Sequence, residues 1–279
     1  MDVSKHPLIQ SINSAGTLDP YFNMQVCDPS QIGWGKATDL FAGDHFSLKE
    51  LVMNYGFERW GTTNNHVASS AFIIAYLTRF IYPAIGQYVL HRRVPKVTLD
   101  NLAFHRSEGR IDATGLRQPL FAVLPDDPFA NHPDAEVLTD EKDLYLKLKG
   151  WAFTANIELV IEALRRSARA SLKVSQNAAA ASVAQALHRL YSLVEDKRSV
   201  VRDANIFFGD LSSPLYGQIN MEIIEHQGKV GFFGRRAGCC LVWRTRESDG
   251  YCSNCILRSR EDQTQRFREM LETVEQNLD

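Results

Sequence analysis

Before position 239 this 279-residue chain contains a single cysteine, Cys27, so most of its length has no thiol set for metal or disulfide chemistry. No glycine-rich run matches a phosphate-binding loop or a dinucleotide fingerprint, and no nucleotide or flavin site is expected. The histidines are scattered. His66, His105 and His226 have no ligand spacing with one another, and no nucleophile–base constellation accompanies them, which argues against hydrolytic or acid–base chemistry. Neither sign of charge is in excess: the net charge of −2 gives no global reason to expect nucleic acid. Internal repeats and low-complexity segments are also missing. Met1 to Leu18 lacks a basic stretch followed by a continuous apolar run, so the expected location is cytosolic. With 44% hydrophobic and 23% charged residues, the composition is that of a globular protein able to bury a substantial core.

What is present is concentrated near the C-terminus. Cys239, Cys240, Cys252 and Cys255 fall within the run CCLVWRTRESDGYCSNC. Four thiols this close in a reducing compartment are better explained by metal than by disulfides, because thiolates bind soft or borderline metals and four complete a zinc or iron–sulfur set. The adjacent pair bears on the choice. Structural zinc usually draws on two Cys-x2-4-Cys turns, each aiming two sulfurs at one ion, whereas neighbouring residues aim their side chains apart and suit the corners of a wider, binuclear cluster. The spacing leans toward iron–sulfur and leaves zinc open. Cys27, alone in VCDPS, reads as an ordinary buried or half-buried cysteine.

The segment from Arg235 to Leu257 carries Arg236 before the paired cysteines, Trp243 followed by Arg244, and then Tyr-Cys-x-x-Cys. It resembles the C-terminal signature of the FhuF-like ferric siderophore reductases. Two departures are visible: eleven residues separate the cysteine pairs where ten is usual in that family, and Ile256 stands where many members have proline. The extra residue falls in a Ser248-Asp249-Gly250 turn, which absorbs an insertion cheaply. Upstream, AFIIAYLTRFIYPAIGQYVL followed by Val94-Pro95, and KVSQNAAAAS, resemble the family's N-terminal helix region and its lysine-to-asparagine segment. The resemblance implies a [2Fe-2S] cluster held by Cys239, Cys240, Cys252 and Cys255. It also implies one-electron reduction of siderophore-bound Fe(III) to Fe(II), releasing iron in the cytosol. The partners it implies are a ferric siderophore and an electron donor, either ferredoxin-like or a flavin-dependent reductase. Two other classes stand beside this one: a non-enzymatic iron–sulfur electron carrier or sensor, and a zinc-bound structural module.

Charge placement fits the redox reading. Between Lys229 and Arg260 there are seven basic and two acidic residues, a local balance of +5 in a chain that is otherwise negative. Cations near sulfur favour a reduced, more negative cluster, and a positive surface attracts anionic chelates or an acidic donor. Arg235, Arg236, Arg244 and Trp243 are the candidate substrate contacts.

The expected fold class is α+β, predominantly helical with a small antiparallel sheet and a C-terminal cysteine loop. A helix is expected from Ser47, as N-cap with Glu50 three residues on, and another from about Asn65 to His91, kinked or ended near Pro83. The apolar stretch Val67 to Leu90 is long enough to cross a bilayer. Its central Arg79 favours a core helix, with peripheral membrane contact as the remaining alternative. Strands are expected at Val94–Leu99, Leu102–Arg106, Arg110–Ala113 and Leu120–Leu124, with a turn at Ser107-Glu108-Gly109. Prolines 119, 125, 128 and 133 suggest a linker, dividing an N-terminal α/β region (1–135) from a helical C-terminal region (136–279) that carries the cluster motif at 229–258. In the second region Phe153, Ile157, Val160, Ile161 and Leu164 share one helical face, and Val183, Leu187, Leu190, Tyr191 and Val194 another. Asn177 is a candidate cap before Ala178–Ala181. A hairpin between Tyr216 and Phe233 turns at Gln227-Gly228, and a final amphipathic helix from Arg260 bears Phe267, Met270, Leu271, Val274 and Leu278.

Overall fold

Helix α1 (Pro7–Leu18) begins with proline where a missing N–H costs nothing, and the His6 ring caps it by accepting from the Leu8 amide. The computed structural model describes residues 5–107, 110–246 and 250–273. Next come the short strands β1 (Gln25–Val26) and β2 (Trp34–Lys36), the single-turn helix α2 (Ala37–Phe41) and helix α3 (His45–Trp60). The cap of α3 is Asp44 and not Ser47. Its carboxylate accepts from the amides of Phe46 and Ser47 at 3.0 and 3.1 Å, which places Ser47 within the first turn.

The long apolar stretch forms two helices, α4 (Asn65–Thr78) and α5 (Ile81–His91). Pro83 explains where they part. Proline has no N–H to offer and its ring clashes with the carbonyl four residues back, here that of Arg79, so the helix breaks at Arg79–Phe80 and Pro83 sits in the first turn of α5. The span Asn65–His91 has the length and mean hydropathy (1.3) to cross a membrane, and 78% of its apolar window is buried inside the protein. Tyr76, Ile73, Leu77, Ile81, Ile85 and Tyr88 are almost fully enclosed.

The fold class is α+β, but the strand material is not one antiparallel sheet. Strands β4 (Leu102–Ser107) and β5 (Arg110–Leu116) pair antiparallel as expected, and the sheet is completed by β2 on β4 and by β1 lying parallel to β5. Strand β3 (Val94–Pro95) pairs with β6 (Phe121–Val123) in a second sheet, where β7 (Ala135–Val137) runs parallel to β6. Short apolar runs announce strands without announcing which neighbour each will find. The turn at Glu108-Gly109 lies outside the described residues, as do residues 247–249 of the cysteine loop.

The proline-rich stretch at 119–133 leads straight into buried structure, since Phe121, Ala122 and Val123 are fully enclosed. One hydrophobic cluster runs from Leu8 to Phe232 across it. Beyond lie α6 (Glu141–Leu148), a π-helical stretch Lys149–Ile157, α7 (Glu158–Ala168), α8 (Leu172–Leu193) and α9 (Lys197–Gly209). Helix α8 is the hub. Its alanines 178–181, 184 and 186 are buried, and side chains this small let α4, α5 and the last hairpin approach the same helix. That hairpin, β8 (Ile219–His226) and β9 (Lys229–Arg236), turns through Gln227 (φ 52°) and Gly228 (φ 77°), the left-handed pair that matches strand twist. Helix α10 (Arg260–Thr273) packs Phe267 and Leu271 on Phe233 and Ile224 of the hairpin. Val274 and Leu278 lie outside the described residues.

Candidate metal centre and adjoining cleft

The four cysteines sit in the loop that joins β9 to α10, and residues distant in sequence shape it. Gly238 lies against the Asn177 side chain; a Cβ there would meet Asn177 Cγ at 3.0 Å, so a larger residue would fit only if the Asn177 side chain gave way. Asn177 itself is not a cap. Ser171 caps α8, and Asn177 lies within the helix, fully buried, donating through Nδ2 to the Gln218 carbonyl at 3.2 Å. Ser70 of α4 donates to the carbonyl of Cys240 at 2.5 Å. The C-terminal half is held by Arg258, whose guanidinium donates to the carbonyls of Tyr251 (2.5 Å) and Cys252 (3.0 Å) and pairs with Asp262 (2.7 Å). Gln263 donates to the Cys255 carbonyl at 3.0 Å, and Asn254 to that of Gly234 at 3.0 Å. Ser70→Ala removes the donor to a buried carbonyl and is expected to cost roughly 1–3 kcal/mol. Urea denaturation reads that loss, and an unchanged midpoint would show that the loop does not depend on α4.

The thiols are arranged in a chain. Cys240 and Cys252 lie close enough to act on each other's thiol, and the Cys255 charge is felt at Cys252. The interaction with Cys252, with the Arg236 guanidinium nearby, pulls the Cys240 thiol well below its ordinary pKa, and the same interaction pushes Cys252 upward. Cys239 is half-buried, and its sulfur accepts from the Leu241 amide at 3.3 Å. Four thiolates on one tetrahedral zinc at about 2.3 Å would stand about 3.8 Å apart. Among the described residues, no three cysteine sulfurs come within 4.8 Å of one another.

The surrounding polar groups test the fit independently. Among the described residues, Arg236 Nε and Nη1 and Trp243 Nε1 are buried donors without a partner, and Asn177 Oδ1 is a buried acceptor without one. Unpartnered buried donors are costly, and an anionic acceptor beside the thiols would satisfy them.

A cleft of 320 Å³ opens beside the loop, with Cys252, Ser253 and Asn254 on one wall. Its volume falls in the range of small-molecule sites. Arg236 lines it, together with Tyr82 and Thr78 from α4 and α5, and Ser182, Gln185 and His188 from α8. His188 Nδ1–H donates to the Phe232 carbonyl at 2.8 Å, and burial holds the ring's pKa down, so the neutral tautomer carries its free lone pair on Nε2. No local pattern marks His188, Gln185 or Tyr82 as site residues; only the packing of α5 on α8 and of α8 on β9 collects them.

The remaining candidates separate. Arg235 is buried with its donors spent on Glu222, Gln263 Oε1 (3.0 Å), Thr264 Oγ1 (2.7 Å) and the Arg260 carbonyl (3.1 Å), and it lies over the Phe267 ring. It ties α10 to the hairpin. Arg244 is exposed and stacks over Trp243, whose ring meets Tyr251 edge-on; none of the three lines the cleft. Cys27 lies in the strand region, with its thiol pushed up to about 11 by burial. Among the described residues one other donor set is compact, His6, His132 and Asp134. There His6 Nδ1 already accepts from Leu8 and His132 Nδ1 from the Asp134 amide, so metal on either ring's other nitrogen would require an imidazolate; the trio reads as a hydrogen-bonded clasp.

No family model and no curated relative matches the chain. Among solved structures it is similar to aerobactin synthetase IucA from a hypervirulent pathotype of Klebsiella pneumoniae, at 16% identity and a TM-score of 0.47, covering 67% of this chain and 33% of that one. The ATP-bound form of IucA gives 15% and 0.45. Aerobactin synthetase IucC from the same pathotype gives 10% and 0.49, covering 66% of this chain. The chain spans about a third of the length of these structures.

Proposed function

We propose that this protein is a cytosolic ferric siderophore reductase that holds a [2Fe-2S] cluster on Cys239, Cys240, Cys252 and Cys255. The observation that carries the reading is the cleft whose wall is Cys252 itself, with the partnerless Arg236 donors beside it. The resemblance of the cysteine loop to the FhuF-like reductases points the same way. When bound, such a cluster supplies single electrons at a potential set by its charge, hydrogen bonds and exposure.

The chain's own groups do the rest. Arg236 places positive charge between the thiols and the cleft, which draws an anionic chelate toward the cysteine loop. Ser182, Gln185 and His188 offer polar contacts that orient the edge of such a complex. A whole ferric siderophore exceeds the cleft, so its rim and not its full body is received. The bound Fe(III) takes one electron; the resulting Fe(II) holds hard anionic oxygens less tightly, and the metal is free to pass to other ligands. No proton shuttle is required for this step.

Anaerobically purified protein is expected to be red-brown, with about two irons and two sulfides per chain. Dithionite should bleach it, and ferric hydroxamate, catecholate or citrate chelates should restore the absorption while a ferrous chelator captures the released metal. Zinc without iron or sulfide, or failure of every ferric chelate to restore the colour, would overturn the proposal.

A further inference from the structure

A second cavity, of 600 Å³, shares no lining residue with the cleft. Three segments build it. Strand β1 lies parallel to the end of β5, with Val26 opposite Leu116 and the Cys27 amide donating to the Leu116 carbonyl at 2.9 Å, which brings Cys27 and Asp28 within electrostatic reach of Arg117. The turn between β3 and β4 supplies Lys96 and Asp100. Asn101, 4% exposed, staples these segments together. Its Nδ2 donates to the carbonyls of Lys96 (2.8 Å) and Gln118 (2.9 Å), its Oδ1 accepts from the Gln118 amide (3.0 Å), and its own carbonyl accepts from the Arg117 amide (2.8 Å). Both hydrogens of the Asn101 side chain are spent on this frame, so the cavity's chemistry falls to the residues it positions.

The charges around the cavity are not equivalent. Lys96 and Arg117 are half-buried, and among the described residues neither is paired with a carboxylate. Arg117 donates through Nη1 to the Asp100 carbonyl at 2.7 Å, but its Nε is buried without a partner. The two acids on the border, Asp28 and Asp100, are exposed, and Asp28 Oδ1 already accepts from the Ser30 amide at 2.8 Å. Burial pushes the Cys27 thiol up to about 11, so it adds no negative charge to the wall near neutral pH. Charges held partly out of water act more strongly than exposed ones, which water and salt screen, so the positive pair dominates. An unpartnered buried N–H is costly, and an oxyanion seated against Arg117 would satisfy it while pairing with Lys96.

We propose that the cavity between Lys96 and Arg117 is a binding site for a small molecule bearing an oxyanion, a carboxylate or a phosphate. Its volume lies in the small-molecule range and exceeds that of a bare ion, so the oxyanion is one end of the ligand, and the amides of Gln31 and Gln118 on the border are available to the rest. The inference is independent of the reductase reading, since none of its residues belongs to the cysteine loop or the cleft.

Titration calorimetry of the protein as purified, with inorganic phosphate in one arm and malonate in the other, tests the site and separates the two sources of oxyanion. Putrescine is the opposing probe, because a cavity governed by Asp28 and Asp100 would take a diamine instead. At least one anion is expected to bind. Lys96→Met should weaken it about tenfold or more, Lys96→Arg should retain most of the affinity, and Lys142→Met on α6 should leave it unchanged. Arg117→Met should weaken it as much; because that variant also loses the bond to the Asp100 carbonyl, its urea midpoint is measured alongside, and Lys96→Met decides if it fails to fold. Binding of putrescine alone, or of no probe, would overturn the proposal. So would equal anion binding by the wild type and Lys96→Met, the result expected if the anion sat beside Arg236 in the cleft. Absorption by the cysteine loop's centre is a separate readout, and its presence or absence bears only on the reductase reading.

Discussion

Cys252→Ser is expected to yield protein without visible absorption and with iron and sulfide near background, whereas Cys27→Ser should keep the full spectrum. Cys252 is the thiol through which the two halves of the motif meet: it and Cys240 act on each other, and the Cys255 charge is felt there. A serine hydroxyl there stays protonated near neutral pH and offers a hard oxygen in place of a soft thiolate, so one corner of a four-thiolate set is lost. Cys27 has no such company. It is 7% exposed, its thiol points at the Leu116 carbonyl at 3.6 Å, and the charged groups that act on it are Arg117 and Asp28. Serine keeps that contact, so only a modest stability loss of about 1 kcal/mol is expected. Absorption spectra, EPR after reduction, and iron and sulfide analysis separate the two variants. Colour retained in Cys252→Ser, or lost in Cys27→Ser, would mean that the ligand set is drawn wrongly.

Much of this was legible from local signals, and the limits of legibility are physical. The four C-terminal cysteines stand out because they are close in sequence. The buried faces of α7 and α8 read from period, and the Gln227-Gly228 turn from residue type; all three appear in the structure where expected. Contacts across large sequence separations left no local trace. Ser70 reaches Cys240 from 170 residues away, and His188 and Tyr82 join the cleft through helix packing alone. The arginine pair is the sharpest case. The hairpin was expected to end at Phe233, which leaves Arg235 and Arg236 equivalent in a loop. Strand β9 in fact continues to Arg236, and in a strand successive side chains face opposite sides. Arg235 therefore turns toward α10, where Glu222, Gln263 and Thr264 consume its donors, and Arg236 turns toward the thiols and the cleft. One added turn of pleat separates a structural residue from a functional one.

That division makes Arg236→Met the second decisive variant. Its guanidinium bears on both Cys240 and Cys252 and has two buried N–H groups with no protein partner. At an effective dielectric of about 20, a unit charge about 8 Å from a redox centre contributes about 2 kcal/mol, which is roughly 90 mV for one electron. Removing it should disfavour the more negative, reduced state, so the midpoint potential is expected to fall by that order. Arg236→Lys should recover part of the shift, because the charge returns without the planar donor set. Arg244→Met is expected to move the potential much less, since an exposed guanidinium is screened by water and salt. An anaerobic redox titration followed by EPR measures all three. Equal shifts at positions 236 and 244 would mean that general surface charge governs the potential, and would remove the special role assigned to the buried guanidinium between thiols and cleft.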